Sequence, residues 1–78
     1  MTKINIEIRP EEKEQVIKAL KQLGSKDVVT IKQIAVATGQ NPNRTRFVVQ
    51  ELLEEGRIVR HIAVQYNARY TRYRYEVL

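Results

Sequence analysis

Apolar residues recur at helical spacing in three segments of the chain, 10–23, 31–38 and 42–55. Pro10 and Pro42 each suit the first turn of a helix, where the backbone N–H has no partner within the helix. The middle segment follows Thr30, whose side chain can cap a helix start together with Gln33 three residues later. A glycine follows each segment and can end it. The pattern predicts three short helices, here called helices 1, 2 and 3.

Alternation of apolar and polar residues, typical of a half-buried strand, occurs at both ends of the chain. Ile4, Ile6 and Ile8 alternate with polar residues and predict an N-terminal strand within residues 1–9. A second alternating stretch covers residues 57–77 and is interrupted near Asn67, which predicts a β-hairpin. The expected fold class is therefore α+β, with three helices, a C-terminal hairpin and an extra N-terminal strand.

A two-residue turn at Asn67 and Ala68 would fix the register of the hairpin, because the cross-strand partners follow from the turn. One nearly apolar face would then consist of Ile58, Arg60, Ile62, Val64, Thr71, Tyr73, Tyr75 and Val77. The other face, polar and basic, would consist of Val59, His61, Ala63, Gln65, Tyr70, Arg72, Arg74 and Glu76. We expect Tyr73 and Tyr75 to turn inward with Ile62 and pack in the core.

Helix 3 is predicted to have a buried face and a presented face. Residues 100° apart place on the buried side Thr45, Val48, Val49, Leu52 and Leu53. The presented side carries Asn43, Phe47, Gln50, Glu51 and Glu54. Two interpretations of Phe47 are equally supported: it is exposed on the presented face, or it closes the core against another helix.

The composition narrows the classes of function. A chain of 78 residues with 42% hydrophobic and 29% charged residues fits one folded domain, too small to enclose a deep catalytic pocket as well. It contains no cysteine and a single histidine, His61, so we expect no metal site, no cofactor and no enzyme activity. We expect no small-molecule ligand either. No apolar run approaches a membrane span and the polar start lacks a signal-peptide core, which favours a cytoplasmic protein.

Positive charge is concentrated near the C-terminus. The net charge is +5, and residues 57–75 hold five arginines without a single acidic residue. Arginine pairs with phosphate through two N–H groups and also stacks on bases, which favours a polyanionic partner. Arginines that merely keep an outward strand face soluble explain the same pattern equally well. The charge alone leaves both interpretations open.

Two stretches resemble the winged helix-turn-helix family, in particular its bacterial and archaeal transcriptional regulators. One runs from Ile34 to Thr45, with isoleucine-alanine, a threonine-glycine turn and a cap followed by proline. The other runs from Leu52 to Val59 and is similar to the end of the family's recognition helix and the entry to its wing. The resemblance covers about residues 25–78. The N-terminal strand lies outside it.

The resemblance implies a sequence-specific protein that binds double-stranded DNA, with helix 3 in the major groove and the hairpin as a wing on the phosphate backbone. The nucleic-acid-binding residues it implies are Asn43, Arg44, Arg46, Phe47 and Gln50 of helix 3. We also expect phosphate contacts from Arg69, Arg72 and Arg74 of the wing, because they cluster at the tip and on the polar face of the hairpin without acidic residues nearby. Asparagine and glutamine can read adenine, arginine can read guanine, and an aromatic ring can pack on a thymine methyl group. Arg44 and Arg46 flank the presented face, so base contact and phosphate contact both stay open for them.

One such module buries little surface on DNA, so we expect a homodimer on a two-fold site. The N-terminal strand is a candidate for the dimer interface, although a strand that pairs within one subunit is an equal alternative. Two other functions remain open from the sequence. One is a winged-helix adaptor in a replication, transcription or conjugation assembly, and the other is an RNA-binding winged helix.

Overall fold

The chain folds as three helices followed by a two-stranded antiparallel hairpin, in a computed structural model that describes residues 7–67 and 69–78. The elements are α1 (Pro10–Leu23), α2 (Ile31–Thr38), α3 (Pro42–Glu54), β1 (Ile58–Gln65) and β2 (Thr71–Val77). The first two helices have the predicted bounds, and α3 ends one residue before the predicted Glu55. The protein is therefore a small α+β domain.

Local hydrogen bonds explain why the second and third helices begin where they do. The Thr30 hydroxyl accepts a bond from the Gln33 backbone N–H at 3.2 Å, and the side-chain Oε1 of Gln33 accepts one from the Thr30 backbone N–H at 2.8 Å. At the start of α3, Asn41 Oδ1 accepts a bond from the Asn43 N–H at 2.8 Å. Between the two helices Gly39 has a φ of +71°, a left-handed conformation that glycine adopts at little cost. These caps set the tight turn between α2 and α3.

The hydrophobic core lies where the helices meet the first part of the hairpin. Each element contributes to it, and its members include Val16, Leu20, Ile34, Val48, Leu52, Ile58 and Tyr75. Thr45 is fully buried among them, and its hydroxyl donates to the Asn41 carbonyl oxygen at 3.1 Å. The buried face of α3 is the predicted one, which leaves the opposite side of this helix exposed.

The segment before α2 fastens the hairpin to the helices. The Val29 N–H donates to the Tyr73 carbonyl oxygen at 3.0 Å, so β2 has β1 on one side and this segment on the other. Val29 itself is buried in the core. The start of α2 is thereby held next to the outer edge of the hairpin.

The hairpin register agrees with the sequence prediction over its first half only. The pairs in agreement are Ile58–Val77, Val59–Glu76, Arg60–Tyr75, His61–Arg74 and Ile62–Tyr73. Beyond Ile62 the two-residue turn predicts the pairs Ala63–Arg72, Val64–Thr71 and Gln65–Tyr70. The structure instead has an irregularity at Ala63 followed by the pairs Val64–Arg72 and Gln65–Thr71, so these three predicted pairs are wrong. A bulge of this kind adds one residue to a strand and shifts all pairs beyond it.

The predicted two-residue turn is also wrong. β1 ends at Gln65 and β2 begins at Thr71, so residues 66–70 form the connection. Asn67 organises it, because its side-chain oxygen accepts bonds from the backbone N–H groups of Arg69, at 2.8 Å, and Tyr70, at 3.2 Å. Asparagine commonly forms such local bonds in turns.

Tyr73 and Tyr75 face the core as predicted, since Tyr75 is 3% exposed and Tyr73 is half-buried against the core cluster. The expectation that Ile62 turns inward with them is wrong, because its side chain is 58% exposed. Only Ile58 is buried among the residues of β1. The other residues of this strand are half-buried or exposed.

The predicted N-terminal strand falls mostly on residues 1–6, which lie outside the described residues. Glu7, Ile8 and Arg9 are not in a strand, and Ile8 is half-buried against the core. The Arg9 N–H donates to Glu12 Oε2 at 3.1 Å and so closes the first turn of α1. The role of the N-terminal segment in a dimer stays a prediction.

Candidate nucleic-acid interface

A cleft of about 450 Å³ lies between the start of α2, the side of α3 and the hairpin. Its lining residues are Val29, Thr30, Ile31, Lys32, Arg46, Val49, Gln50, Arg60, Thr71, Arg72, Tyr73 and Tyr75. We call this surface the basic cleft. Three separate parts of the fold converge on it, because the bond from Val29 to Tyr73 holds the start of α2 beside the hairpin.

The basic cleft carries positive charge without any acidic lining residue. Lys32 comes from α2, Arg46 from α3, and Arg60 and Arg72 from the hairpin. All four side chains are exposed, and within the described part of the chain none of them forms a salt bridge. Like charges gathered in a concave surface produce a local positive potential that attracts anions.

Four acidic residues in or next to the helices are paired elsewhere, on the flank where α1 meets α3 and the segment that follows it. Three ion pairs or clusters form there. Glu12 pairs with Arg44 at 2.9 Å, Glu14 pairs with Arg57 at 2.6 Å, and Lys13 lies 2.7 Å from Glu55 and 3.6 Å from Glu51. The fold thus separates a neutralised flank from an unneutralised cleft.

The presented face of α3 borders the basic cleft. Asn43, Phe47 and Gln50 are exposed, and Phe47, at 47%, does not close the core. Gln50 also lines the cleft with Arg46, and its side-chain amide donates to Glu54 Oε1 at 3.4 Å. The amide and aromatic groups therefore share one exposed helix face, as the helical spacing predicts, and the guanidinium of Arg46 lies at its side in the cleft.

Arg44 lies in a different place from the other predicted binding residues of α3. Its Nε donates to Glu12 Oε1 at 3.1 Å, its Nη2 donates to Glu12 Oε2 at 2.9 Å, and Nη2 also contacts the Glu7 carbonyl oxygen. This two-bond pair links α3 to α1 across 32 positions of sequence. The N–H donors of this guanidinium bind groups of the protein itself, and Arg44 does not line the basic cleft.

The predicted wing arginines are spread over three surfaces. Arg72 lines the basic cleft, whereas Arg69 is exposed in the connection between the strands. Arg74 lies on the other face of the hairpin, in a shallow depression with Ser25, His61 and Glu76. The structure therefore does not bring Arg69, Arg72 and Arg74 together as one cluster.

Sequence reasoning missed two cations of the cleft, Lys32 and Arg60. Arg60 was assigned to the nearly apolar hairpin face because of its register, and it does share that face with Tyr73 and Tyr75. Its charged end lies over the Tyr73 ring instead of in the core. Lys32 sits two residues after the cap of α2, and the only available signal was its exposed position at a helix start.

The Glu12–Arg44 pair predicts a specific pH dependence of stability. The hydrogen bond from Arg44 lowers the pKa of Glu12, an effect that burial partly opposes. Because the pKa of Glu12 is lower in the folded state than in the unfolded state, the pair stabilises the fold fully above the ordinary glutamate pKa of about 4.3. This stabilisation is lost as the pH falls through the folded value. In urea unfolding between neutral pH and about pH 3, we expect Glu12→Gln to be less stable near neutrality and less sensitive to acid. Parallel curves for the two proteins would contradict this role for the pair.

Two further observations bear on other kinds of site. Within residues 7–67 and 69–78, no group of histidine, aspartate or glutamate side chains is placed to hold a metal ion. No helix in the same ranges is both long and apolar enough to cross a bilayer.

Comparison of the chain with protein-family models, curated proteins and solved structures finds no match.

Proposed function

We propose that this protein is a winged helix-turn-helix regulator that binds double-stranded DNA in a sequence-specific manner. The observation that carries the proposal is the basic cleft. It gathers, beside the presented face of α3, four cations that form no salt bridge with any described residue. A polyanion would relieve the repulsion among these charges. We include a cytoplasmic location in the proposal, because the regulators that the sequence resembles are bacterial and archaeal, and their DNA lies in the cytoplasm.

The order of elements supports the winged-helix part of this proposal. A helix, an extended segment, two helices joined by a tight turn, and a hairpin follow one another along the chain. The bond between Val29 and Tyr73 adds the extended segment to the edge of the hairpin. In such a layout the third helix is free on one side and the hairpin stands next to it as a wing.

The proposed role of each side chain in DNA binding follows from its position. α3 enters the major groove, where Asn43 and Gln50 reach base edges and Phe47 contacts a thymine methyl group or a sugar. Phosphate contacts come from the cations of the basic cleft. Arg44 stabilises the position of α3 through Glu12 and does not read bases.

A selection experiment tests this function directly. Random DNA duplexes are mixed with the protein at low and moderate salt, and the duplexes retained in a gel shift are sequenced. The proposal expects strong binding that weakens with salt and an enriched common sequence. Absence of binding at low salt would reject the function, and binding without enrichment would reject sequence specificity.

Alanine variants of the presented face test base readout by α3. Asn43→Ala and Gln50→Ala are each expected to cost about 1–3 kcal/mol on the selected site and to relax preference at one base position. Gln22→Ala is the matched control, because Gln22 is an exposed glutamine of α1, which contributes nothing to the cleft lining. If both α3 variants lose the same affinity on selected and random duplexes, direct readout by these residues is excluded.

A homodimer is part of the same proposal. A single module covers roughly 600–1,000 Å² on DNA, which gives little affinity unless two copies bind a two-fold site. The selected sequence is therefore expected to contain two related half-sites. Sedimentation of the protein with and without that duplex measures the number of copies bound, and one copy per site would contradict the dimer.

A further inference from the structure

Among the described residues, Arg60 is the cation of the basic cleft whose guanidinium lies over an aromatic ring, and that ring packs near a second tyrosine. Its guanidinium carbon lies 4.4 Å from the centroid of the Tyr73 ring. The rings of Tyr73 and Tyr75 are 6.5 Å apart and tilted by 54°. Tyr75 is only 3% exposed and therefore fixed in the core. The charged end of Arg60 thus rests on a rigid aromatic base.

Stacking on an aromatic ring determines which part of a guanidinium is available for a ligand. The ring attracts the flat face of the cation, while the N–H donors point outward from its edge. A guanidinium held in this way loses little conformational freedom when it pairs with two oxygens of a phosphate. Burial raises the pKa of Tyr75, and the neighbouring charge of Arg60 partly offsets this, as expected of a cation close to that hydroxyl.

Two arginines outside the basic cleft have their donors occupied by carboxylates, unlike Arg60. The guanidinium groups of Arg44 and Arg57 lie 2.9 and 2.6 Å from the carboxylates of Glu12 and Glu14. Within the described ranges no carboxylate pairs with Arg60, and no acidic residue lines the cleft into which it projects. Arg60 is therefore both positioned and unneutralised.

We propose that Arg60 forms a preorganised site for one phosphodiester of the bound duplex, and that Tyr73 and Tyr75 are its positioning residues. This inference rests on the proposed DNA-binding function and adds to it a fixed point of attachment on β1, inside the cleft. The site requires the planar, two-bond geometry of arginine, so lysine is a poor replacement although it keeps the charge. Arg72 lines the same cleft, and no aromatic ring among the described residues stacks on it, so it has no such requirement.

Charge-conserving substitutions separate this geometry from simple attraction. Arg60→Lys and its matched control Arg72→Lys keep the same net charge in the same cleft, and Arg60 is exposed, so neither change disturbs the core. We expect Arg60→Lys to weaken binding to the selected duplex about tenfold and Arg72→Lys less than about threefold. The slope of log K against log salt should stay unchanged in both, because the number of cations is unchanged.

A second pair of variants tests the aromatic support. Tyr73→Phe keeps the ring and should bind as the parent does, whereas Tyr73→Leu removes it and should reduce affinity several-fold. Adding Arg60→Lys to Tyr73→Leu should then cost less than it does in the parent, because the two changes disrupt one unit. Thermal unfolding of each variant shows whether it is folded at the binding temperature.

The outcomes distinguish this inference from the function on which it depends. If the parent protein fails to bind any duplex, the proposed function fails. If the parent binds and the two lysine variants lose equal affinity, DNA binding stands and a preorganised phosphate site at Arg60 is excluded. Additive effects of Tyr73→Leu and Arg60→Lys would exclude Tyr73 as its positioning residue.

Discussion

Replacing Arg46, Arg60 and Arg72 together by glutamine is expected to abolish most of the salt-dependent affinity for duplex DNA. Each phosphate contact contributes about 0.9 to the slope of log K against log salt, so three lost contacts should flatten it by about 2.7. Near 0.1 M salt this corresponds to a loss of roughly 100-fold to 1,000-fold in affinity. Fluorescence anisotropy of a labelled duplex across a salt series measures both quantities.

The matched control removes the same amount of charge from another surface. Lys18, Lys21 and Lys26 are exposed and none of them lines the basic cleft. Their triple glutamine variant has the same net charge as the arginine variant, yet it should retain nearly the parent's slope and affinity. If the two triple variants lose affinity equally, net charge rather than the basic cleft determines binding.

Leu52→Ala is expected to produce the largest loss of stability. Leu52 is completely buried in the core cluster where α3 meets the rest of the fold. Removing such a leucine costs about 2–5 kcal/mol, because the remaining side chains only partly fill the cavity. The free energy of unfolding of a small domain is about 5–15 kcal/mol in total, so this substitution should remove a large share of it. Urea unfolding followed by circular dichroism measures the change.

Val36→Ala is the control for this measurement, since Val36 is 75% exposed on α2. Its free energy of unfolding should stay within about 0.5 kcal/mol of the parent's, as for most surface substitutions. A cost for Leu52→Ala as small as that of Val36→Ala would contradict the position of the core.

The helices could be predicted almost to the residue because their signals are local. Thr30 and Gln33 cap α2 through bonds between residues three positions apart, and Gly39 ends it in a left-handed conformation. The buried face of α3 also follows from spacing alone, since Val48 and Leu52 are separated by one helical turn. Both kinds of information are contained within a few adjacent residues.

The hairpin was only half predictable because its register depends on a feature that alternation does not encode. Residues up to Ile62 and Tyr73 pair as expected, and the irregularity at Ala63 then shifts Arg72 to a new partner. The exposure of Ile62 had no local signal either, because alternation places it on the same face as the buried Ile58.

The candidate site shows a similar division. The exposed positions of Asn43, Phe47 and Gln50 follow from the helical wheel. The pairing of Arg44 with Glu12 does not, since these residues are 32 positions apart and meet only through tertiary packing. Contacts that span the fold decide which cations are free, and a single sequence contains no direct record of them.

NMR mapping of the DNA-contacting surface is the most direct test that α3 and the basic cleft bind DNA. Isotope-labelled protein is titrated with a duplex that carries the selected sequence, and changes in the amide and arginine side-chain resonances are assigned to residues. We expect the largest changes at Asn43, Phe47 and Gln50 and along the basic cleft, whereas the exposed lysines of α1 should change little. Changes confined to the α1–α2 surface around Val36, or no saturable change with any duplex, would contradict this expectation.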